Sequence, residues 1–196
     1  MKRLFDIIAS GCGLLVLSPL FFVVAIWIKL DSKGPVFYKQ IRVGRYGKDF
    51  KLFKFRSMRV GADKKGLITI GGHDPRVTRS GYFIRKYKLD EFPQLINVFI
   101  GDMSLVGPRP EVRKYVDLYT PEQLHVLYVR PGITDLASIR YRNENEILET
   151  VENPEQYYID VIMPDKLRIN LEYVANHSFF YDIKLIFKTF WEIISK

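Results

Sequence analysis

The sequence lacks most of the patterns from which chemistry is usually read. Its 196 residues include one cysteine, Cys12, which excludes an internal disulfide. Its three histidines, His73, His125 and His177, are spaced too widely for a common zinc site. A reducing compartment and no structural zinc follow from these two scarcities. The phosphate loops GxxxxGK[ST] and GxGxxG, the nucleophile elbow GxSxG and the metal motif HExxH are all missing. No repeat or low-complexity tract is visible. With 47% apolar and 27% charged residues, the chain has enough material for one core, which argues against disorder, a collagen-like fibre or a multidomain array.

What is present is charge, and it is unevenly placed. Thirty Lys and Arg against 22 Asp and Glu give a net +8. Residues 1–28 contribute +1, residues 29–88 contribute +13 and residues 89–196 contribute −6. A stretch this basic is an electrostatic footprint for something anionic, whether nucleic acid, a phosphorylated substrate or a membrane surface.

The segment before it narrows the choice. From Ile7 to Leu30 the chain runs 24 residues with Lys29 as its only charge. As a helix that is about 36 Å, long enough for a bilayer core of about 30 Å. Pro19 lies inside the run, where it removes a backbone hydrogen bond and clashes with the carbonyl of Leu15, so the helix is expected to bend. Neither arm then spans alone: Arg3 to Ser18 covers about 24 Å and Leu20 to Leu30 about 16 Å. The Ser18 hydroxyl can serve the freed carbonyl. Both flanks are basic, with Lys2 and Arg3 before and Lys29, Lys33 and Lys39 after, and basic flanks stay cytoplasmic. A re-entrant helix broken at Ser18-Pro19 is therefore favoured over a kinked single span. No small-x-small site follows the run, which argues against a cleaved signal peptide. Phe21, Phe22, Ile26, Trp27 and Ile28 cover every face, which argues against a soluble core helix.

Downstream, Val36 to Val43 and Asp49 to Arg56 read as a basic β-hairpin turning through Gly44-Arg45-Tyr46-Gly47-Lys48. Residues 61–81, rich in glycine, read as a long loop. Helices are predicted at Tyr82 to Lys88, Glu91 to Ile100, Pro121 to Tyr128 and 144–150. From Ser178 to Lys196, the polar residues Asp182, Lys188, Glu192 and Ser195 form one narrow stripe on a helix that is otherwise apolar. Its wide apolar face suits the domain core, the commoner answer, or a membrane interface.

Two constellations carry chemistry. Asp90 and Glu91 follow three basic residues in six positions, Arg85, Lys86 and Lys88, and Pro93 in a first helical turn would put Asp90 at the N-cap. An ordinary cap is one reading. The other is a carboxylate held ionised at a phosphate-attracting helix start, where Asp can attack phosphorus and a neighbouring Glu can hold Mg²⁺. In Gly107-Pro108-Arg109-Pro110, the two prolines present Arg109 from a stiff backbone, and a guanidinium suits a bidentate grip on phosphate. The turn Gly44-Arg45-Tyr46-Gly47 matches a GxxG nucleic-acid clamp, although a hairpin turn explains both glycines.

Taken together, Lys2 through Thr134 resembles the bacterial sugar transferases, the monotopic phosphoglycosyl transferases that begin glycan assembly on a polyprenyl phosphate. The most specific stretch is Arg79-Ser-Gly-Tyr-Phe-Ile-Arg85, then Leu89-Asp90-Glu91-Phe92-Pro93-Gln94, Gly101-Asp102-Met103-Ser104 and Gly107-Pro108-Arg109-Pro110. Lys54-Phe55-Arg56-Ser57-Met58, Ser18-Pro19 and Arg130-Pro131-Gly132-Ile133-Thr134 also match. The resemblance implies that Asp90 attacks the β-phosphorus of a UDP-sugar, releasing UMP and forming a covalent phosphosugar that undecaprenyl phosphate then displaces. It also implies that Glu91, with Asp90, holds Mg²⁺, that Arg85, Arg109, Lys54 and Arg56 bind phosphate, and that Ser18-Pro19 breaks a re-entrant helix.

The expected fold is α+β and mostly helical. A re-entrant membrane helix covers residues 1–33, and a β-hairpin with a compact helical cytosolic catalytic domain covers residues 34–196. The expected location is the cytoplasmic face of a bacterial inner membrane. Phospholipid is a partner and nucleic acid is not, with room for downstream glycosyltransferases or a homodimer. After Thr134 the chain departs from the family pattern, reading Asp135-Leu-Ala-Ser-Ile-Arg140, and Phe92 replaces a commoner Leu. This region and the acidic run Glu144 to Glu155 suit sugar recognition or a solvated loop. Three rivals stand: a membrane-associated nucleic-acid binder, a non-catalytic membrane scaffold, and a glycosyltransferase that releases UDP.

Overall fold

The computed structural model describes residues 1–62 and 74–194. Its first element is helix α1 (Lys2–Asp31), 30 residues with Pro19 inside. Proline at 19 deprives the Leu15 carbonyl of its helical donor, and the Ser18 hydroxyl donates to that oxygen at 2.8 Å. The helix runs on through Ser18-Pro19, and the stretch around them is exposed, with Leu15, Val16, Ser18 and Pro19 all outward.

Both ends of α1 are tied to the body of the protein. At the start, the Lys2 ammonium donates to the Val106 carbonyl at 2.9 Å and pairs with Asp182. Arg3 donates to the Val98 and Phe99 carbonyls at 2.6 and 3.0 Å, and the Leu105 amide donates to the Asp6 carboxylate at 3.1 Å. At the far end, the Ser80 amide and hydroxyl donate to Asp31 at 3.0 and 2.8 Å. Val24 and Ile28 bury there against Phe55 and Ile84.

Strands β1 (Phe37–Val43) and β2 (Asp49–Phe55) form the expected antiparallel hairpin, with Phe37 opposite Phe55 and Val43 opposite Asp49. The turn between them is a 3₁₀ element at Arg45–Gly47, in which Tyr46 and Gly47 take positive φ of 58° and 73°. Turn geometry accounts for the GxxG spacing. Helix α2 (Arg79–Lys86) begins before the predicted Tyr82, because Thr78 caps it: its hydroxyl accepts from the Gly81 amide at 3.0 Å. The loop predicted over residues 61–81 therefore ends earlier, and its part at 63–73 lies outside the described residues. Helix α3 (Gln94–Ile100) also starts later than predicted, after a 3₁₀ turn at Leu89–Glu91.

A short parallel pair follows, β3 (Ser104–Val106) with β4 (Gly132–Thr134). It depends on two glycines, since a Cβ on Gly132 would sit 2.1 Å from the Gly107 nitrogen and one on Gly107 would sit 2.4 Å from the Arg130 carbonyl oxygen. Helix α4 (Arg113–Val116) and a 3₁₀ turn at Gln123–Tyr128, where a helix from Pro121 was expected, lie between the two strands. After β4 come α5 (Leu136–Arg140), α6 (Glu144–Glu149), α7 (Pro154–Tyr157), a π turn at Tyr158–Ile162, α8 (Met163–Asn176) and α9 (Phe179–Ile194). The largest core cluster joins Val112, Tyr115, Val126, Leu148, Tyr158, Ile162, Met163 and Leu167.

α9 combines its two expected placements. Leu185 is buried in a core cluster with Val106 and Tyr173, and Tyr181 and Ile186 pack against it. Of its polar residues, Lys188 is exposed, whereas Asp182 is 3% exposed and accepts from the Tyr173 hydroxyl at 2.6 Å. Its aromatics face outward, with Phe180, Phe187 and Trp191 at 83%, 70% and 72% exposure. Spacings of seven and four put these three on one helical face. The ion pair with Lys2 compels this orientation, because a carboxylate at this depth needs a cation beside it.

The Lys2–Asp182 pair is asymmetric, since the Lys2 side chain is 34% exposed and that of Asp182 only 5%. Removing the lysine strands a buried carboxylate, whereas neutralising Asp182 leaves an ammonium that can reach water. Lys2→Met is expected to cost about 3 kcal/mol and Asp182→Asn about 1 kcal/mol. Denaturant unfolding in detergent micelles reads both, and a larger loss in Asp182→Asn would refute the asymmetry.

Candidate active site

Lys88, at φ 56°, turns the chain sharply out of α2 and starts the 3₁₀ turn that carries Asp90 and Glu91. This differs from the expected N-cap. α3 begins only at Gln94, after Pro93, and has seven residues, so its dipole is not what governs Asp90. The Asp90 side chain makes no hydrogen bond among the described residues. Side-chain cations from other elements set the electrostatics instead.

Arg109 grips Glu91 with both terminal nitrogens, Nη1 lying 3.1 Å from Oε2 and Nη2 bonding Oε1. The Lys54 ammonium on β2 lies 3.9 Å from Glu91 Oε1. Burial pushes the Glu91 carboxyl up, but the Arg109 guanidinium and then Lys54 outweigh it and hold Glu91 well below the usual carboxylate range. Asp90 moves the other way. Burial raises it, the Glu91 charge adds to the rise, and Lys54 and Arg85 oppose without cancelling. Burial also lowers the Lys54 ammonium to about 8 against the pull of Glu91 and Asp90. Glu91 beside it raises the Arg109 guanidinium, with a further contribution from Asp135. Adjacent carboxylates pushed apart in this way are suited to different roles. Glu91 is a fixed anion, while Asp90 is the more basic carboxylate, with lone pairs uncommitted to any described donor.

The framework brings Lys54, Glu91, Asp90 and Arg109 together from three separate segments. Asn97 locks β2 to α3: its side-chain amide donates to the Lys51 carbonyl at 2.8 Å and accepts from the Phe53 amide at 2.9 Å. On the other side, the Gly132 amide donates to the Pro108 carbonyl at 3.0 Å. Arg42 donates to the Pro110 carbonyl at 2.9 Å and to Glu111 at 3.0 Å, and the Tyr158 hydroxyl donates to Glu111 at 2.5 Å. The Pro-Arg-Pro segment is thus fastened to β4 and β1. Sequence reasoning missed Asn97, Arg42 and Glu111 as supports. A polar residue inside Leu95-Ile96-Asn97-Val98 was the available signal for the first.

Arg85, in the last turn of α2, makes no ion pair among the described residues, yet its charge acts on Asp90. Lys88 acts on both Asp90 and Glu91. Arg56, expected among the phosphate binders, lines the same cavity but makes its bonds elsewhere: its guanidinium donates to the Lys33 and Ser32 carbonyls at 2.5 and 2.7 Å and to the Ser32 hydroxyl at 3.0 Å. These oxygens lie at the end of α1, where carbonyls have no helical donor, so Arg56 holds that end in place. Ser18-Pro19 lies in the exposed middle of α1.

The cluster opens into a cavity of about 2050 Å³ lined by Lys54, Arg85, Asp90, Glu91 and Arg109 and reaching α1 at Phe5, Ala9, Gly13 and Leu17. This exceeds the roughly 300–1,000 Å³ of a single small-ligand pocket. A charged group and an apolar one can both be accommodated, at opposite ends.

Comparison with known proteins follows the same lines. The family profile described as bacterial sugar transferase matches residues 1–196. The UDP-glucose:undecaprenyl-phosphate glucose-1-phosphate transferase of Escherichia coli K12 is 40% identical over 96% of this chain and 39% of its own length. The UDP-N-acetylgalactosamine-undecaprenyl-phosphate N-acetylgalactosaminephosphotransferase of Aeromonas hydrophila is 39% identical over 100% of this chain and 44% of its own. The chain therefore spans less than half the length of these two relatives. An uncharacterized sugar transferase of Bacillus subtilis, EpsL, is 38% identical over 99% of this chain and 87% of its own length. With the family profile matched from end to end and a relative of similar length, this chain belongs to the bacterial sugar transferase family.

Proposed function

We propose that this chain transfers a sugar 1-phosphate from a UDP-sugar to undecaprenyl phosphate, releasing UMP and initiating a membrane-bound glycan such as O-antigen, capsule, exopolysaccharide or glycoprotein glycan. The observation that carries the reading is the pairing of an unbonded, relatively basic Asp90 with a Glu91 held anionic by Arg109 and Lys54. An Asp90 carboxylate oxygen attacks the β-phosphorus, and the bond from that phosphorus to the bridging oxygen breaks, with UMP leaving. A phosphate oxygen of the lipid then attacks the same phosphorus, the aspartyl ester bond breaks, and the Asp90 carboxylate is regenerated.

Glu91 and Asp90 would hold Mg²⁺, an ion usually bound by one or two carboxylates together with substrate phosphate oxygens. The two adjacent acids fit that donor set. The ion would supply charge neutralisation to the diphosphate. Arg109, bonded to both Glu91 oxygens, stands at the same mouth as a cation for a bound phosphate. Arg85 and Lys88 add cations at the same mouth.

Membrane placement rests on α1 and α9. Lys2 and Arg3 at one end of α1 and Asp31 at the other all bind the same body of the protein, which suits a helix that dips into one leaflet and returns better than one that crosses. The outward Phe180, Phe187 and Trp191 of α9 suit the interface beside it. The chain would then sit on the cytoplasmic face of a bacterial inner membrane, its basic stretch toward anionic headgroups.

Three outcomes follow. Detergent-solubilised protein given UDP-sugars, Mg²⁺ and undecaprenyl phosphate is expected to release UMP, and Asp90→Asn to lower that rate by at least about 10³-fold while retaining its fold by circular dichroism. Release of UDP would indicate transfer of the sugar alone, and salt-sensitive nucleic-acid binding unaffected by Asp90→Asn would indicate the binding rival. Chelation with EDTA is expected to abolish UMP release and added Mg²⁺ to restore it, and a rate unchanged by chelation refutes the metal assignment. Single cysteines at exposed Leu4 and Lys33, in a Cys12→Ser background, are both expected to resist an impermeant reagent in intact cells and to react after lysis. Labelling of the Leu4 site alone before lysis would mean a full span.

A further inference from the structure

The cavity continues past Arg109 to a second wall of different character. Asp135 lies close enough to raise the Arg109 guanidinium, and it caps α5 by accepting from the Ser138 amide and hydroxyl at 2.8 and 2.5 Å. α5 packs on α8, and α8 presents Lys166 and Asn170, four residues apart, to the same cavity. Here the cations are already paired, Lys166 with Glu144 and Arg142 with Glu192. The wall is thus polar but nearly neutral, unlike the mouth around Arg85 and Lys88.

Asn170 is the anomaly in this wall. It is 7% exposed, and its side-chain carbonyl oxygen is fully buried with no hydrogen-bond partner among the described residues. A buried amide left unpaired is unfavourable and is usually explained by a ligand or a role. An anionic diphosphate gains nothing from a neutral wall. A sugar does, because each ring hydroxyl or N-acyl group is both donor and acceptor, and it meets either end of a carboxamide.

Resting on the phosphosugar-transfer reading, we propose that Asn170 is a specificity-determining residue that hydrogen-bonds the sugar of the nucleotide donor. With the β-phosphate at Asp90 and Arg109, the sugar extends toward α5 and α8, and the uridine side lies toward the unpaired cations. Asn170 reads one hydroxyl or N-acyl group, and the Lys166–Glu144 pair flanks it.

The test is UMP release with UDP-glucose, UDP-galactose, UDP-N-acetylglucosamine and UDP-N-acetylgalactosamine, comparing wild-type protein with Asn170→Ala and the nearly isosteric Asn170→Asp. The expected result is a loss of at least about tenfold in kcat/KM for the best sugar and a changed ranking among the four. Inhibition by UMP and the KM for undecaprenyl phosphate should stay unchanged. The melting temperature of Asn170→Ala should hold or rise, since an unpaired buried group is removed. An unchanged ranking in both variants, or an equal fall for all four sugars, overturns the assignment while leaving the transfer reading intact. Wild-type protein that releases no UMP with any of them overturns both.

Discussion

Two carboxylates side by side in a half-buried cleft repel one another and lose hydration, so their placement is tolerable only if cations converge on them. Lys88, at the start of their own turn, acts on both, but the larger contributions come from elsewhere in the chain. Arg109 comes from the segment after β3, Lys54 from β2 and Arg85 from α2. Much of the architecture answers that requirement. Asn97 fixes the β2 backbone to α3, Gly107 and Gly132 let β3 and β4 approach closely enough to carry the Pro-Arg-Pro segment, and Arg42 with Glu111 fastens that segment to β1. These supports make no contact with Asp90, yet they determine where its compensating charge lies.

A second constraint shapes α1. An apolar helix of 30 residues offers little to a water-soluble body except at its ends, and there the contacts are polar: Lys2 with Asp182, Asp6 with the Leu105 amide, Asp31 with Ser80, and Arg56 with the last carbonyls. Between them, two small residues admit close packing. A Cβ on Gly11 would come within 3.3 Å of Phe99 and one on Gly13 within 3.2 Å of Leu95. The exposed residues between Leu15 and Leu30 are apolar except for Ser18 and Lys29. α9 adds three exposed aromatics, so exposed apolar area comes from two elements far apart in sequence.

How much of this was legible depends on the range of the interactions. The hairpin was readable because alternation and glycine are local signals, and so was the Ser18 hydroxyl bond to the carbonyl that Pro19 frees, since that carbonyl lies four residues before the proline. That Asp90, Glu91 and Arg109 act together was implied only by the family resemblance, and the Arg109–Glu91 ion pair was not foreseen, because nothing in the spacing says that residue 109 folds against residue 91. Arg56 was grouped with the phosphate binders through the family-like segment Lys54-Phe55-Arg56-Ser57-Met58, but it lies just past the end of β2, and its guanidinium serves carbonyls at the end of α1 that no local pattern points to. On α9 the wide apolar face was legible but not the fate of its polar stripe: Lys188 is exposed, while Asp182 is buried because it has a cation 180 positions away. Asn170 gave no signal at all, since an asparagine in an amphipathic helix is unremarkable until its surroundings are known.

The balance of charge at the mouth bears on the chemistry. Asp90 and Glu91 supply two negative charges, and Lys54, Arg85, Lys88 and Arg109 supply four positive ones. The excess matches a diphosphate ester of about −2 at neutral pH, so a nucleotide sugar would be drawn in without a further cation. Attack by one anion on another still has to overcome repulsion at the phosphorus itself. On the proposed reading a divalent ion at Glu91 would meet that local demand. The bidentate Arg109–Glu91 pair meanwhile holds a carboxylate and a guanidinium side by side at the mouth, so that both signs of charge are in place beside Asp90.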